Sequence, residues 1–192
     1  MKTKNYVLYV VLLSFLAGIV DLVTNLIEGQ ELFGIPGSFT FITFTCWALY
    51  FLFGANLKGA AKGYLSILSG AICAVFMFYL TFAFDITVKA WWAIPLAVFF
   101  VVLIMVPQEK IKAINLAGVF AGTGLFFAAD AAGAVTFLDA AGNFAPFGVR
   151  SYAIGVAIEM LYALIGLTAG YLTIKLYGFC AGLGAKKEEA KQ

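Results

Sequence analysis

Apolar residues fill this chain in long blocks, separated by short stretches where the lysines, acids and prolines collect. A block of about 20 apolar residues without period-two alternation matches a helix crossing the ~30 Å hydrocarbon core of a bilayer. The blocks predict an all-α, polytopic membrane protein with six transmembrane helices, over about residues 6–28, 38–54, 60–84, 90–106, 111–129 and 151–177. The second and fourth are short, which suits oblique or partly re-entrant segments. Turning one of them into a re-entrant hairpin leaves five spans and puts the chain ends on opposite faces.

Charge decides between these topologies. With the N-terminus in the cytoplasm, six spans place Lys2, Lys4, Lys58, Lys62, Lys110, Lys112, Lys175, Lys186, Lys187 and Lys191 inside, and only Lys89 and Arg150 outside. Positive charge in short loops sets membrane orientation, so both termini are expected to be cytoplasmic. The outer loops instead carry Glu28, Glu31, Asp85 and Asp139. The first apolar block follows Lys2 and Lys4 as a signal peptide would, but no small-residue cleavage site closes it, and a retained signal anchor is expected. Trp91 and Trp92 open the fourth span, where an outer aromatic belt would place them. Residues 186–192 form a short charged tail beyond the single transmembrane domain, residues 1–185.

The stretch 131–150 is too apolar for a free loop and too short for a crossing with turns. A short outer interfacial helix over residues 132–141 is expected, broken by Gly142, Pro146 and Gly148. It either caps the bundle or dips into it, and backbone at that depth must be buried or line a wet cavity.

Composition supports lipid as the solvent and removes several functions. The chain is 64% hydrophobic and 11% charged, against about 25% charged in soluble domains, and its mean hydropathy is +1.01. A net charge of +2 gives nucleic-acid binding no electrostatic support. Histidine is absent, which removes the usual general base and the commonest metal ligand. Cys46, Cys73 and Cys180 are widely spaced singles and read as packing residues rather than a metal or redox site. No nucleophile elbow, phosphate loop or dinucleotide fingerprint is present. Neither enzymatic activity, a cofactor nor a bound metal is expected.

One pattern recurs. Asn56-Leu57-Lys58-Gly59 is followed by Gly63, and Asn115-Leu116-Ala117-Gly118 by Gly122, with a weaker echo at Leu176-Tyr177-Gly178 and Gly182. Asn at a helix mouth caps free backbone N–H groups, and small residues four apart let helices approach closely. A two-helix unit used twice in parallel would produce this, as would coincidence in a Gly- and Leu-rich chain. Gly166 and Gly170 form another such pair. All six glycines (59, 63, 118, 122, 166, 170) are expected to pack helices, within or between protomers.

The stretch Gly54-Ala-Asn-Leu-Lys-Gly59 with Gly63 and Leu68-Ser69-Gly70, the stretch Leu116-Ala-Gly-Val-Phe-Ala-Gly122, and the Gly166 to Tyr171 region together resemble the YcdZ-like bacterial inner-membrane family, a domain of unknown function. The likeness runs from about Ala17 to Gly178, with gaps. It implies a small multi-pass protein of the bacterial inner membrane, and transfers no substrate or catalytic residue. The 131–150 stretch is longer than the family pattern suggests.

Chemistry within the apolar blocks rests on three acids, Asp21, Asp130 and Glu159. An ionisable group in a bilayer usually faces a bundle interior or a water-filled cavity. At 1.5 Å per residue, Asp21 and Glu159 lie about 10–13 Å below the outer boundary, and Asp130 lies near the outer end of its span. Asn25 is one turn from Asp21 and Tyr162 is one turn from Glu159, on the same helix faces. Thr24, Thr40, Thr43 and Thr45 add polar groups to the first two spans. The acids are expected to converge in the outer half of the bundle, as a vestibule for a cation or small polar solute. Otherwise each is held locally, with Asp21 or Glu159 paired to Arg150 or Lys89 or kept protonated in apolar surroundings. A small-solute channel or transporter, working as a homo-oligomer, is therefore expected; a non-transporting scaffold or accessory subunit is the alternative.

Overall fold

The computed structural model describes residues 3–28, 38–88, 92–132 and 149–189, and among these every regular element is a helix. In chain order they are α1 (Thr3–Glu28), α2 (Thr40–Leu52), α3 (Leu57–Val88), α4 (Ala93–Met105), a 3-10 turn (Val106–Lys110), α5 (Leu116–Ala131) and α6 (Val149–Glu189). The expected interfacial segment falls almost wholly outside the described residues, as do Trp91 and the side chains of Lys89 and Arg150.

All six apolar blocks are helical, but among the described residues four give helices long and apolar enough to cross a membrane: Thr3–Glu28, Leu57–Phe84, Ala93–Lys110 and Tyr152–Leu183. This corrects the count of six full-length spans. α2 has 13 residues and α5 has 16, so at 1.5 Å per residue they reach about 20 and 24 Å, less than a ~30 Å core. The causes are local. α2 stops where Gly54 (φ 93°) and Ala55 (φ 52°) turn the chain through left-handed backbone, a conformation that costs an L-residue such as alanine and suits glycine. α5 starts late because Asn115 is extended and accepts the Ala117 N–H at 3.0 Å, capping the helix there. The expected span from residue 111 therefore begins with a turn. The fourth block, by contrast, gains length because the 3-10 turn at Pro107 prolongs α4. α6 runs on to Glu189, into the charged tail.

Glycines set which helices touch. A Cβ at Gly122 would fall on the Ile67 backbone, and one at Gly70 on Val119 and Thr123, so α3 and α5 meet backbone to backbone. Ser66 fixes their register: its Oγ accepts the Asn115 N–H at 2.7 Å and donates to the Lys62 carbonyl at 2.6 Å. α2 and α6 meet in the same manner, with Gly166 against Thr43 and Cys46 and Gly170 against the Tyr50 ring. The Phe53 ring occupies room left by Gly63 and Gly118. Gly59 lies against the Phe53 carbonyl, and the Asn56 side chain accepts its N–H at 2.8 Å. The six expected packing glycines thus all work inside one chain, and both Asn residues of the repeat cap helices. α4 packs on α3 and α5 through Cys73, Met77, Ala97, Val101, Met105 and Val119.

α1 is peripheral. It leans on α2 and α6 through Val20, Trp47 and Ala169, and its Tyr9 ring meets Tyr177 edge-on at 5.5 Å. The contacts order the helix directions: α2 runs with α6, α3 runs with α5, and α1 runs against α6. The first turns of α3 and α5, the α2–α3 turn and the later part of α6 therefore share one end of the bundle. Lys58, Lys62, Lys110, Lys112 and Lys175 gather there.

Candidate functional site

Toward the opposite end lie Thr24, Thr43 and the buried acid Glu159. On α6, Tyr152, Gly155, Glu159, Tyr162, Gly166 and Gly170 recur at steps of three and four and form one buried row. Glu159 is 0% exposed. Neither of its carboxylate oxygens has a hydrogen-bond partner among the described residues. Cys46 of α2 is close enough to interact with it electrostatically, and Ile42, Ile158 and Ala163 belong to the apolar core around it. The enclosure follows from the glycine contact at Gly166, two turns along the same face, which draws α2 onto α6. A carboxyl buried without partners is costly in any medium of low polarity.

One turn away the polar groups are fully engaged. Thr43 donates its hydroxyl to the Tyr162 carbonyl at 3.1 Å, and the Tyr162 side chain reaches the Glu28 carboxylate. Glu28 Oε1 accepts the Phe39 N–H at 2.6 Å, the Thr40 N–H at 2.9 Å and lies 3.0 Å from the Thr40 hydroxyl. The last residue of α1 thus caps the first turn of α2, placing a negative charge where free N–H groups and the helix dipole favour it. Thr24 Oγ1 lies 2.9 Å from the Thr40 hydroxyl and continues the cluster along α1. Sequence reasoning put Glu28 in an outer loop and missed this role. Capping across 11 and 12 residues leaves no local motif to find.

The other expected site residues lie elsewhere. Asp21 and Asn25 are exposed on the far side of α1, where the Asn25 amide donates to the Asp21 carbonyl at 2.8 Å. Asp130 is partly buried at the end of α5, near Tyr152. The structure therefore brings Glu159 and Tyr162 together with Glu28, Thr24, Thr40 and Thr43, and leaves Asp21, Asn25 and Asp130 apart from them. Among the described residues no three acids or cysteines are placed to hold a metal ion. The groove between α3 and α6, lined by residues such as Leu57, Tyr64, Leu164 and Tyr171, is apolar and suits lipid chains.

An all-helical bundle with four bilayer-length apolar helices, a buried carboxyl and one lysine-bearing end has the make-up of a multi-pass membrane protein. More narrowly, the chain belongs to the family described as protein of unknown function DUF1097, whose model matches residues 11–177, from α1 into α6. No curated protein and no solved structure matches it.

Proposed function

We propose that the protein is a YcdZ-like multi-pass protein of the bacterial cytoplasmic membrane that carries a cation or small polar solute, with Glu159 as the group that meets it. The lysine-bearing end faces the cytoplasm, following the bias of positive charge toward that side. Both termini lie there, α2 and α5 serve as short fifth and sixth segments beside the four long ones, and the protein works as a homo-oligomer without enzymatic activity. The opposite end, with Glu28, Tyr162, Thr24 and Thr40, forms the outer approach.

One observation carries this reading: a membrane carboxyl enclosed without a hydrogen-bond partner among the described residues. Fold stability alone gives no reason to keep it, since an apolar side chain would fill the same space at lower cost. A proton or a cation neutralises such a group, and intramembrane acids of this kind mark ion and proton pathways. Binding there requires α2 and α6 to part, so the described state is the closed one of an alternating pair.

The glycine contacts favour a second reading. Close packing of α2 on α6 at Gly166 and Gly170, about two and three turns along the helix from Glu159, is what a non-transporting scaffold or accessory subunit would use. Reconstitution of the full chain in liposomes separates the two. Carriage predicts proton or monovalent-cation flux above that of empty vesicles, read with entrapped indicator dyes, and a drop of tenfold or more for Glu159→Gln. Flux at the empty-vesicle level, or equal flux in wild type and Glu159→Gln, overturns the assignment of Glu159 and leaves the scaffold.

A further inference from the structure

The outward face of α1 is built for contact. Val7, Val11, Ser14, Gly18, Asp21 and Asn25 follow one another at steps of 4, 3, 4, 3 and 4, and all six are exposed. That spacing is the a/d seam of a left-handed helix pair. Between residues 10 and 27 the polar side chains are Ser14, Asp21, Thr24 and Asn25. Thr24 is buried against α2, and the other three all lie on the seam. Asp21 sits seven residues before Glu28, about 10 Å inside the end of the helix. The hydrogen bonds that Asp21 makes go to its backbone carbonyl, and its carboxyl has none among the described residues. Facing hydrocarbon, such a row is unfavourable, and polar side chains on spanning helices turn toward other helices or water.

We infer that α1 pairs with α1 of a second copy of this chain along this seam. Three features select a second copy as the occupant. Copies of one chain insert in one orientation, so a two-fold axis along the membrane normal sets the row against itself at matched depth. The row is then self-complementary. Asn25 brings amide donors and a carbonyl acceptor and Asp21 brings a carboxyl, so each helix supplies what the other lacks. Asn at a seam position is also a device that fixes register in parallel helix pairs. Finally, nothing lies within 4 Å of a Cβ built at Gly18, and a groove over it, flanked by Ser14, Phe15, Ile19 and Leu22, leaves room for a closely approaching helix. The glycines of the recurring motif are used inside the chain and do not offer this. The pairing depends on α1 crossing the membrane and not on transport, so its failure leaves the role of Glu159 untouched.

Single cysteines placed at positions 17 to 26 of the full chain, cross-linked in membranes, test the pairing. The native Cys46, Cys73 and Cys180, all buried, set the background through the unsubstituted chain. Dimer yield is expected to peak at 18, 21 and 25 and to fall at least fivefold at the inward positions 20 and 24. Asp21→Leu with Asn25→Leu is expected to raise the monomer fraction tenfold or more in single-molecule photobleaching of dilute liposomes. The milder Gly18→Ile, which fills the recess and leaves the polar pair, should weaken the dimer while the chain stays monodisperse. A wild-type chain that is monomeric at all dilutions overturns the inference. So does a flat cross-linking profile, or a dimer that the Asp21/Asn25 change leaves intact.

Discussion

Glu28 and Glu159 lie at the same end of the bundle, one on α1 and one on α6, and meet opposite surroundings. Glu28 gathers backbone donors from the first turn of α2, the Thr40 hydroxyl and Tyr162. Glu159, one turn from Tyr162 and 0% exposed, has no hydrogen-bond partner among the described residues. The first acid is explained by the fold, because it holds a helix end together. The second is not, and a costly group without structural work is where function is to be sought. Tyr162 engages Glu28 alone of the two, although it follows Glu159 by one turn on α6.

The enclosure of Glu159 depends on α2 lying against α6, and the sharpest way to break the comparison is to wedge them apart. Gly166→Leu puts a branched side chain where even a methyl group would meet the Thr43 carbonyl and Cys46. A loss of about 3 kcal/mol is expected, at the upper end for overpacking, read as a lowered unfolding midpoint in mild detergent. Gly124→Ala is the matched control. Nothing lies within 4 Å of its Cβ, and helix propensity favours alanine by about 1 kcal/mol. Equal effects at the two positions would show that α2 is not held by close approach.

Replacing Glu159 itself should act in the other direction. Glu159→Met keeps the volume and removes the unpartnered carboxyl, so stability is expected to rise by about 1–3 kcal/mol, the cost of an unsatisfied buried polar group. Flux should fall in the same variant. Stability gained with activity lost is the signature of a residue kept for function. A destabilised Glu159→Met protein would mean that the acid is a structural partner like Glu28, and the contrast between them would collapse.

Much of this arrangement was legible along the chain, and its limits have physical causes. The apolar blocks gave six helices because hydrophobicity over some 20 residues is a strong signal. The caps at Asn56 and Asn115 were legible because donor and acceptor lie within three residues. The lengths of α2 and α5 were not, since an apolar residue in a turn looks like one in a helix. α2 is limited at one end by the left-handed turn at Gly54 and Ala55 and at the other by an acid from a different helix. The direction of Asp21 was also hidden. α1 is apolar almost all round, so depth could be counted from sequence but not which face meets the bundle. Asp21 and Glu159 were expected to converge on the strength of depth alone, and the structure leaves Asp21 exposed on α1 while it buries Glu159 on α6.

The mildest change tests the other half of the comparison. Glu28→Ala removes the acceptor that holds the first turn of α2 and should cost about 1 kcal/mol, as lost helix caps do. Glu28→Gln separates two causes. An amide oxygen can still accept the Phe39 and Thr40 N–H groups, but it brings no charge to the helix N-terminus. If hydrogen-bond geometry dominates, Gln recovers most of the alanine loss. If the charge at the helix end dominates, Gln behaves like Ala, and raising the salt concentration should weaken the wild type toward both, because an interaction with the helix dipole near the surface is screened. Recovery by Gln is the expected result. Short contacts at 2.6 and 2.9 Å already satisfy the Phe39 and Thr40 N–H groups at the start of α2, and an amide oxygen can accept both. Were Glu28→Ala to leave the unfolding midpoint unchanged, the capped acid would contribute no more to the fold than the orphaned one, and the reason for setting Glu159 apart would be gone.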